Sequence, residues 1–139
     1  MLVNLLELEL SPYSCSAVYP EQDELLQVVN QLLAHDRIIF AAPVYWYAMS
    51  GRMKNFFDRL TDLVPTHKKI GRQLRGKIRL VLAVGADTAM PNEFLGPFVS
   101  TAAYFGMYFR GHLYACSKHP AFPAQLPEES RRFRLAATE

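Results

Sequence analysis

Residues 38–60 read Ile38-Ile39-Phe40-Ala41-Ala42-Pro43-Val44-Tyr45-Trp46-Tyr47-Ala48-Met49-Ser50-Gly51-Arg52-Met53-Lys54-Asn55-Phe56-Phe57-Asp58-Arg59-Leu60. From Arg37 to Ala42 the run is short and almost continuously apolar, the pattern of an interior strand of a parallel sheet covered on both faces. Pro43 has no N–H to give and ends the ladder. An aromatic loop follows, and then Ser50 is placed to cap a helix. Met53, Phe56, Phe57, Leu60 and Leu63 recur at helical spacing, Lys54 and Asp58 form an i, i+4 pair, and Val64-Pro65 closes the helix. Strand, loop and helix in this order are how an open α/β sheet builds a ligand site at the carboxyl end of a strand.

Working outward toward the N-terminus, residues 2–10 alternate as a strand, with Leu6, Leu8 and Leu10 on one face and Glu7 and Glu9 on the other. A turn-forming loop, Ser11 to Ser16, leads to a helix that begins near Pro20, with acids in its first turn where the dipole favours them. Its stripe is Leu25, Val28, Val29, Leu32 and Leu33, and it ends near His35 or Asp36. Toward the C-terminus, residues 66–76 form a basic connector and residues 77–85 a second interior strand. Gly85-Ala86-Asp87-Thr88 is a second candidate ligand loop at that strand's carboxyl end. A helix from about Pro97 to Phe105 and a last strand over 107–115, weakened by Gly111, complete the pattern. Residues 118–139 make a proline-rich tail with a short polar helix from Glu128. Alternating strands and helices with long crossovers predict a parallel sheet in a three-layer α/β/α fold.

The composition narrows the function classes. At 139 residues, half of them apolar, the chain has material for one core and hence one domain. A formal net charge of +2 is too small to draw nucleic acid or a membrane surface. No apolar run approaches the roughly 20 residues of a membrane span. Residues 1–6 carry neither a basic lead nor a cleavage site, so no signal peptide is expected. Two distant cysteines, Cys15 and Cys116, suit a reduced, cytoplasmic protein. His35, His67, His112 and His119 stand singly, so no metal set is expected. Gly-x-Ser-x-Gly, P-loop and Gly-x-Gly-x-x-Gly runs are absent, and Cys15 has no base or cation beside it in sequence.

What remains is the loop after the strand. Pro43-Val44-Tyr45-Trp46-Tyr47 sets an apolar wall and three aromatics beyond a rigid element, and Ser50-Gly51 offers backbone N–H groups at a helix start. A flat heteroaromatic ligand with polar edges needs that combination: faces to stack on and donors along the rim. The same aromatics could instead serve as core or as a subunit interface.

Asp36-Arg37-Ile38-Ile39-Phe40-Ala41-Ala42-Pro43-Val44-Tyr45-Trp46, then Ser50-Gly51 and Met53-Lys54-Asn55-Phe56-Phe57-Asp58-Arg59, resembles the flavodoxin-like NADPH-dependent FMN reductases and NAD(P)H:quinone reductases. The resemblance implies a flavodoxin-like fold, FMN as cofactor, and electron transfer from NADPH or NADH to a small-molecule acceptor such as a quinone. It also implies a homodimer whose interface completes the flavin site. Carried onto this chain, Pro43, Val44, Tyr45, Trp46 and Tyr47 would hold the isoalloxazine ring, with Ser50 and Gly51 as the small pair before the helix. Gly85, Ala86 and Asp87 would flank the ring's other side, while Lys54, Asp58 and Arg59 would anchor the helix and the dimer surface. No protein acid or base is demanded, since the flavin carries the hydride chemistry.

The chain departs from that family in one respect. The family begins with a strand, a hydroxyl-rich phosphate loop and a helix, whereas the first strand expected here matches the family's second. About four strands are therefore expected, with an N-terminal βα unit missing, its strand belonging between residues 2–10 and residues 38–40. Met1 would then not be the true start, or the chain rearranges, or a second copy fills the gap. Two classes of function follow: an FMN-dependent NAD(P)H oxidoreductase, or a truncated flavodoxin-like domain without tight FMN binding that dimerises or binds a partner.

Overall fold

The computed structural model describes residues 1–118 and 126–138. Helix α1 (Leu25–Leu33) precedes strand β1 (Arg37–Tyr45), and a two-residue β2 (Ala48–Met49) leads into α2 (Gly51–Arg59), prolonged by a 3-10 turn at Leu60–Leu63. The basic connector folds into a short α3 (Lys68–Gly71) and a 3-10 turn, Arg72–Leu74. Then come β3 (Ile78–Gly85), α4 (Gly96–Phe105), β4 (Tyr108–Cys116) and α5 (Leu126–Thr138). The sheet order is β2-β1-β3-β4, with β1, β3 and β4 parallel and β2 antiparallel to the end of β1.

Side chains alternate across the sheet, so Ile38, Phe40 and Ala42 share one face with their register partners Arg79, Val81 and Ala83. Leu25, Val28 and Val29 of α1, Met53, Phe56 and Phe57 of α2, and Phe98 and Ala102 of α4 fill that face. Its centre is aromatic: Phe57 meets Phe40 edge-on at 5.3 Å and Phe98 at 5.1 Å. Each such buried side chain is worth about 1.5–3 kcal/mol. On the opposite face α5 packs against β4, where Leu80, Leu113 and Ala115 are buried, and Arg37 donates to the Thr138 carbonyl at 2.9 Å. Helices on both faces of a mostly parallel sheet give the three layers that the alternating pattern predicts.

Four expectations are corrected. Residues 2–10 form no strand: Asn4 accepts from the Leu6 amide and donates to Glu7, closing a single 3-10 turn at Leu5–Glu7. A strand exists only against a neighbour, and this segment lies against the helices instead, with the Leu10 carbonyl taken by Asn55. The first helix starts at Leu25 rather than near Pro20, because Asp23 and Glu24 spend their carboxylates on the distant amides of Ser11 and Glu9. Strand β1 runs three residues past Ala42 and is covered on one face only. Ile39, Ala41, Pro43 and Tyr45 form an exposed apolar stripe, since α5 lies over β4 and leaves β1 open. The aromatic loop, finally, is a tight hairpin, so the fourth strand of the sheet is β2 and not residues 2–10.

The last strand lies where expected, and Gly111 explains itself. The register slips by one residue, from Arg79↔Phe109 to Leu80↔Gly111, and Gly111 takes φ +139° to absorb the bulge. His119 and the prolines at 120 and 123 lie outside the described residues.

Candidate functional site

Pro43 is the last residue of β1 to pair with β3, opposite Val84. Beyond it the strand changes partner, with Val44↔Met49 and Tyr45↔Ala48 closing a hairpin. Only Trp46 and Tyr47 link the two strands, and both lie in the left-handed region, at φ 48° and 67°. Two positive φ values at the centre of a two-residue hairpin define the turn that Asn-Gly forms without strain. For bulky residues such a conformation costs roughly 1–3 kcal/mol each and clusters at functional sites. What this cost achieves is display: Tyr45, Trp46 and Tyr47 are 62%, 91% and 61% exposed, on a turn two residues long.

Ser50 occupies the capping position of α2, but its hydroxyl makes no capping bond. The first helical bond runs from the Lys54 amide to the Ser50 carbonyl at 2.9 Å. Among the described residues the amides of Gly51, Arg52 and Met53 therefore have no acceptor, as the first turn of an uncapped helix leaves them. A side chain at Gly51 would meet nothing within 4 Å, so the approach to these donors is open.

Gly85 ends β3 one residue beyond the Pro43–Val84 pair and is held tightly from β4. Its carbonyl accepts from the Ser117 amide at 2.8 Å and the Ser117 hydroxyl at 3.1 Å. The Cys116 thiol lies 3.5 Å from the Ala86 carbonyl, and the Tyr114 hydroxyl donates to the Asp87 carbonyl at 2.7 Å. A Cβ at Gly85 would come within 2.6 Å of the Tyr114 oxygen, so any larger residue would push that ring aside. Burial, then the neighbouring Cys116 and Asp87, push the Tyr114 phenol above its ordinary value and keep it a donor. The structure thus brings residues 43–51 and 85–87 to adjacent strand ends. Tyr114 and Ser117 had no signal in sequence, because their partners lie about 30 residues back.

Lys54 and Asp58 pair on the exposed side of α2. Arg59, 2% exposed, forms the clasp of the N-terminal segment: it donates to Asp23 at 2.7 and 3.0 Å, to Asp62 at 2.8 Å and to the Ser11 carbonyl at 2.9 Å. Tyr19 stacks on its guanidinium at 3.4 Å. Burial alone would raise the Asp23 carboxyl, but hydrogen bonds from Arg59 and from the Ser11 and Leu25 amides outweigh it and hold it at about 2.

This clasp also settles the position of the hydroxyl-rich loop. Ser11 sits by Arg59, at the far end of α2, roughly 12 Å along the helix from Gly51. The Ser14 and Ser16 hydroxyls bond each other at 2.8 Å and accept from the Ser16 and Val18 amides. They close on themselves, beside the carboxylate of Asp62 that Tyr19 reaches. With its hydroxyls turned to one another, this loop offers no cradle for a phosphate.

The geometry agrees with the comparisons to known proteins. The sequence model of the flavodoxin-like fold matches residues 5–135. YwqN of Bacillus subtilis (strain 168), which carries the name of an NAD(P)H-dependent FMN-containing oxidoreductase, is 30% identical over 105 residues, 73% of this chain and 58% of YwqN. YdeQ of the same organism, an uncharacterized NAD(P)H oxidoreductase, is 45% identical over 91 residues, 58% of this chain and 46% of YdeQ. The chain spans about half the length of these curated relatives. Among solved structures, the Trp repressor binding protein of Bacillus subtilis superposes with a TM-score of 0.67 at 26% identity, over 92% of this chain and 79% of that one. Parallel strands in this order, a loop at the carboxyl end of each of two neighbours, and a sequence match over nearly the whole length lead to one conclusion: the chain belongs to the flavodoxin-like fold family.

Proposed function

We propose that this chain carries the ring-binding half of an FMN-dependent NAD(P)H oxidoreductase of the flavin or quinone reductase type. The observation that carries the reading is the Trp46–Tyr47 turn, where two bulky residues hold a strained conformation that displays three aromatics beside the Gly85 loop. Tyr45, Trp46 and Tyr47, with Pro43 and Val44 behind them, would supply faces for an isoalloxazine ring. The amides from Gly51 onward and the loop Gly85-Ala86-Asp87 would supply polar contacts at its rim. Flavin held there would supply the hydride chemistry between NADPH or NADH and a small acceptor, while the residues here would bind it, orient it and shield one face from water.

Flavin uptake tests the reading directly. Titrating FMN into the purified chain should quench the flavin fluorescence, and Trp46→Ala should weaken the affinity by about 5- to 150-fold, since stacking on an aromatic is worth ~1–3 kcal/mol. A colourless protein that takes up no added FMN sinks the proposal for this chain.

A second reading rests on a different observation. The stripe Ile39-Ala41-Pro43-Tyr45 is uncovered, and the outer edge of β1 from Arg37 to Pro43 pairs with nothing among the described residues. Open edges and apolar faces mark association surfaces. On that reading the chain works as a dimerising or partner-binding domain, and sedimentation at micromolar concentration would show a species larger than the monomer.

A further inference from the structure

The carbonyls of Gly85, Ala86 and Asp87 are consecutive in sequence, and all three point to residues at the end of β4. In an extended chain successive carbonyls alternate in direction, so three on one side require the bent backbone that follows Gly85. Each peptide unit is planar and trans, so the N–H of the next residue points opposite to its carbonyl. The amides of Ala86, Asp87 and Thr88 are thereby turned away from β4, and none has an acceptor among the described residues. In the order β2-β1-β3-β4, the strand on the side away from β4 is β1, which ends at the aromatic hairpin.

We infer that Tyr114 is a positioning residue: its hydroxyl, with Ser117 gripping Gly85, sets the Ala86–Thr88 amides as a row of donors facing the ring site. This rests on the flavin reading above and adds the residue that organises one side of it. Successive amides facing one way form a concavity suited to an electron-rich ligand edge. Gly85 belongs to the same device, because any larger residue would lift the Tyr114 ring off its seat. Tyr114 itself touches no ligand in this arrangement; its effect passes through the peptide units.

The test uses the full chain and FMN as probe. In the wild type, adding FMN should shift the ¹H–¹⁵N resonances of Ala86, Asp87 and Thr88. Tyr114→Phe keeps the ring and loses only the hydroxyl, so the melting temperature should stay within about 2 °C while the Kd for FMN rises roughly 3- to 10-fold, the worth of one hydrogen bond. The FMN-induced amide shifts should shrink with it. Gly85→Ala should weaken binding further, and Gly85→Ala combined with Tyr114→Phe should fall short of the sum, because the oxygen that Cβ meets at 2.6 Å is gone. A Tyr114→Phe variant that binds FMN as the wild type does, with the same amide shifts, overturns the positioning role and leaves the flavin reading standing. A lower melting temperature with unchanged FMN affinity overturns it equally. A wild type that binds no FMN overturns the flavin reading and this inference with it.

Discussion

Asp23→Asn should destabilise the protein in a manner that depends on pH. The Asp23 carboxylate accepts from both terminal nitrogens of Arg59 and from the Ser11 and Leu25 amides, and these bonds hold it at about 2 against burial and an ordinary value of 3.8. A carboxyl with a depressed folded-state value contributes stability above the unfolded value and loses it as the pH falls through the folded one. The difference corresponds to about 2 kcal/mol at neutral pH, with roughly half of it gone by about pH 3. Asn keeps the shape and gives up the charge, so at pH 7 the variant should be about 2 kcal/mol less stable. For a domain of this size that is a melting temperature lower by about 8 °C. Urea unfolding of both proteins between pH 7 and pH 2.5 checks it: the gap should be wide and level from pH 7 to about 5 and close steeply below about 4. A gap that is the same at pH 3 as at pH 7 would refute the argument, since the cost would then come from shape and not from the ionised pair.

Three further outcomes follow from single features. Replacing Trp46-Tyr47 by Asn-Gly relieves two left-handed bulky residues and should stabilise the hairpin by about 2–6 kcal/mol while abolishing FMN uptake; thermal melts and flavin titration on the same protein read both. Arg79 is buried, its Nε has no partner among the described residues, and burial pulls its guanidinium down to about 10, a cost near 3 kcal/mol in force at every pH below that value. Its place over the Phe40 and Phe57 rings at 4.4 and 5.0 Å and its bond to the Phe98 carbonyl return about as much. Arg79→Met should therefore change the unfolding free energy by less than about 1 kcal/mol, and a loss above about 3 kcal/mol would show that the aromatic box needs its cation. Gly71→Ala would drive a Cβ to 2.5 Å from the Leu63 carbonyl and should cost about 1–3 kcal/mol by denaturant unfolding, whereas Gly51→Ala, in open space, should cost well under 1.

The sequence by itself determined the class of fold, three of the strands and the loops at the carboxyl ends of two of them. Apolar runs at 37–42, 78–84 and 107–115, separated by helical stripes, allow little besides a parallel sheet with helices on its faces. The resemblance implies an anchoring role for Arg59 on its helix; the structure shows that side chain buried and bonded to Asp62 in the following turn, and to Asp23 and the Ser11 carbonyl, partners too far back in sequence to be read locally. Tertiary structure decided the remainder. Alternation at residues 2–10 looked like a strand, but a strand is a property of two segments, and no sheet edge runs beside this one. The continuous apolar run of β1 could not tell whether one face or two would be covered, because cover comes from where α5 lies. Nor could the letters Trp-Tyr announce a left-handed turn, a conformation their own propensities oppose and only the β1–β2 pairing enforces. The grip of Tyr114 and Ser117 on the Gly85 loop spans about 30 residues and exists because β3 and β4 are parallel and in register. Local patterns fix what each segment can become; which partners it meets, and which peptide groups are left without one, is settled only when the strands are side by side.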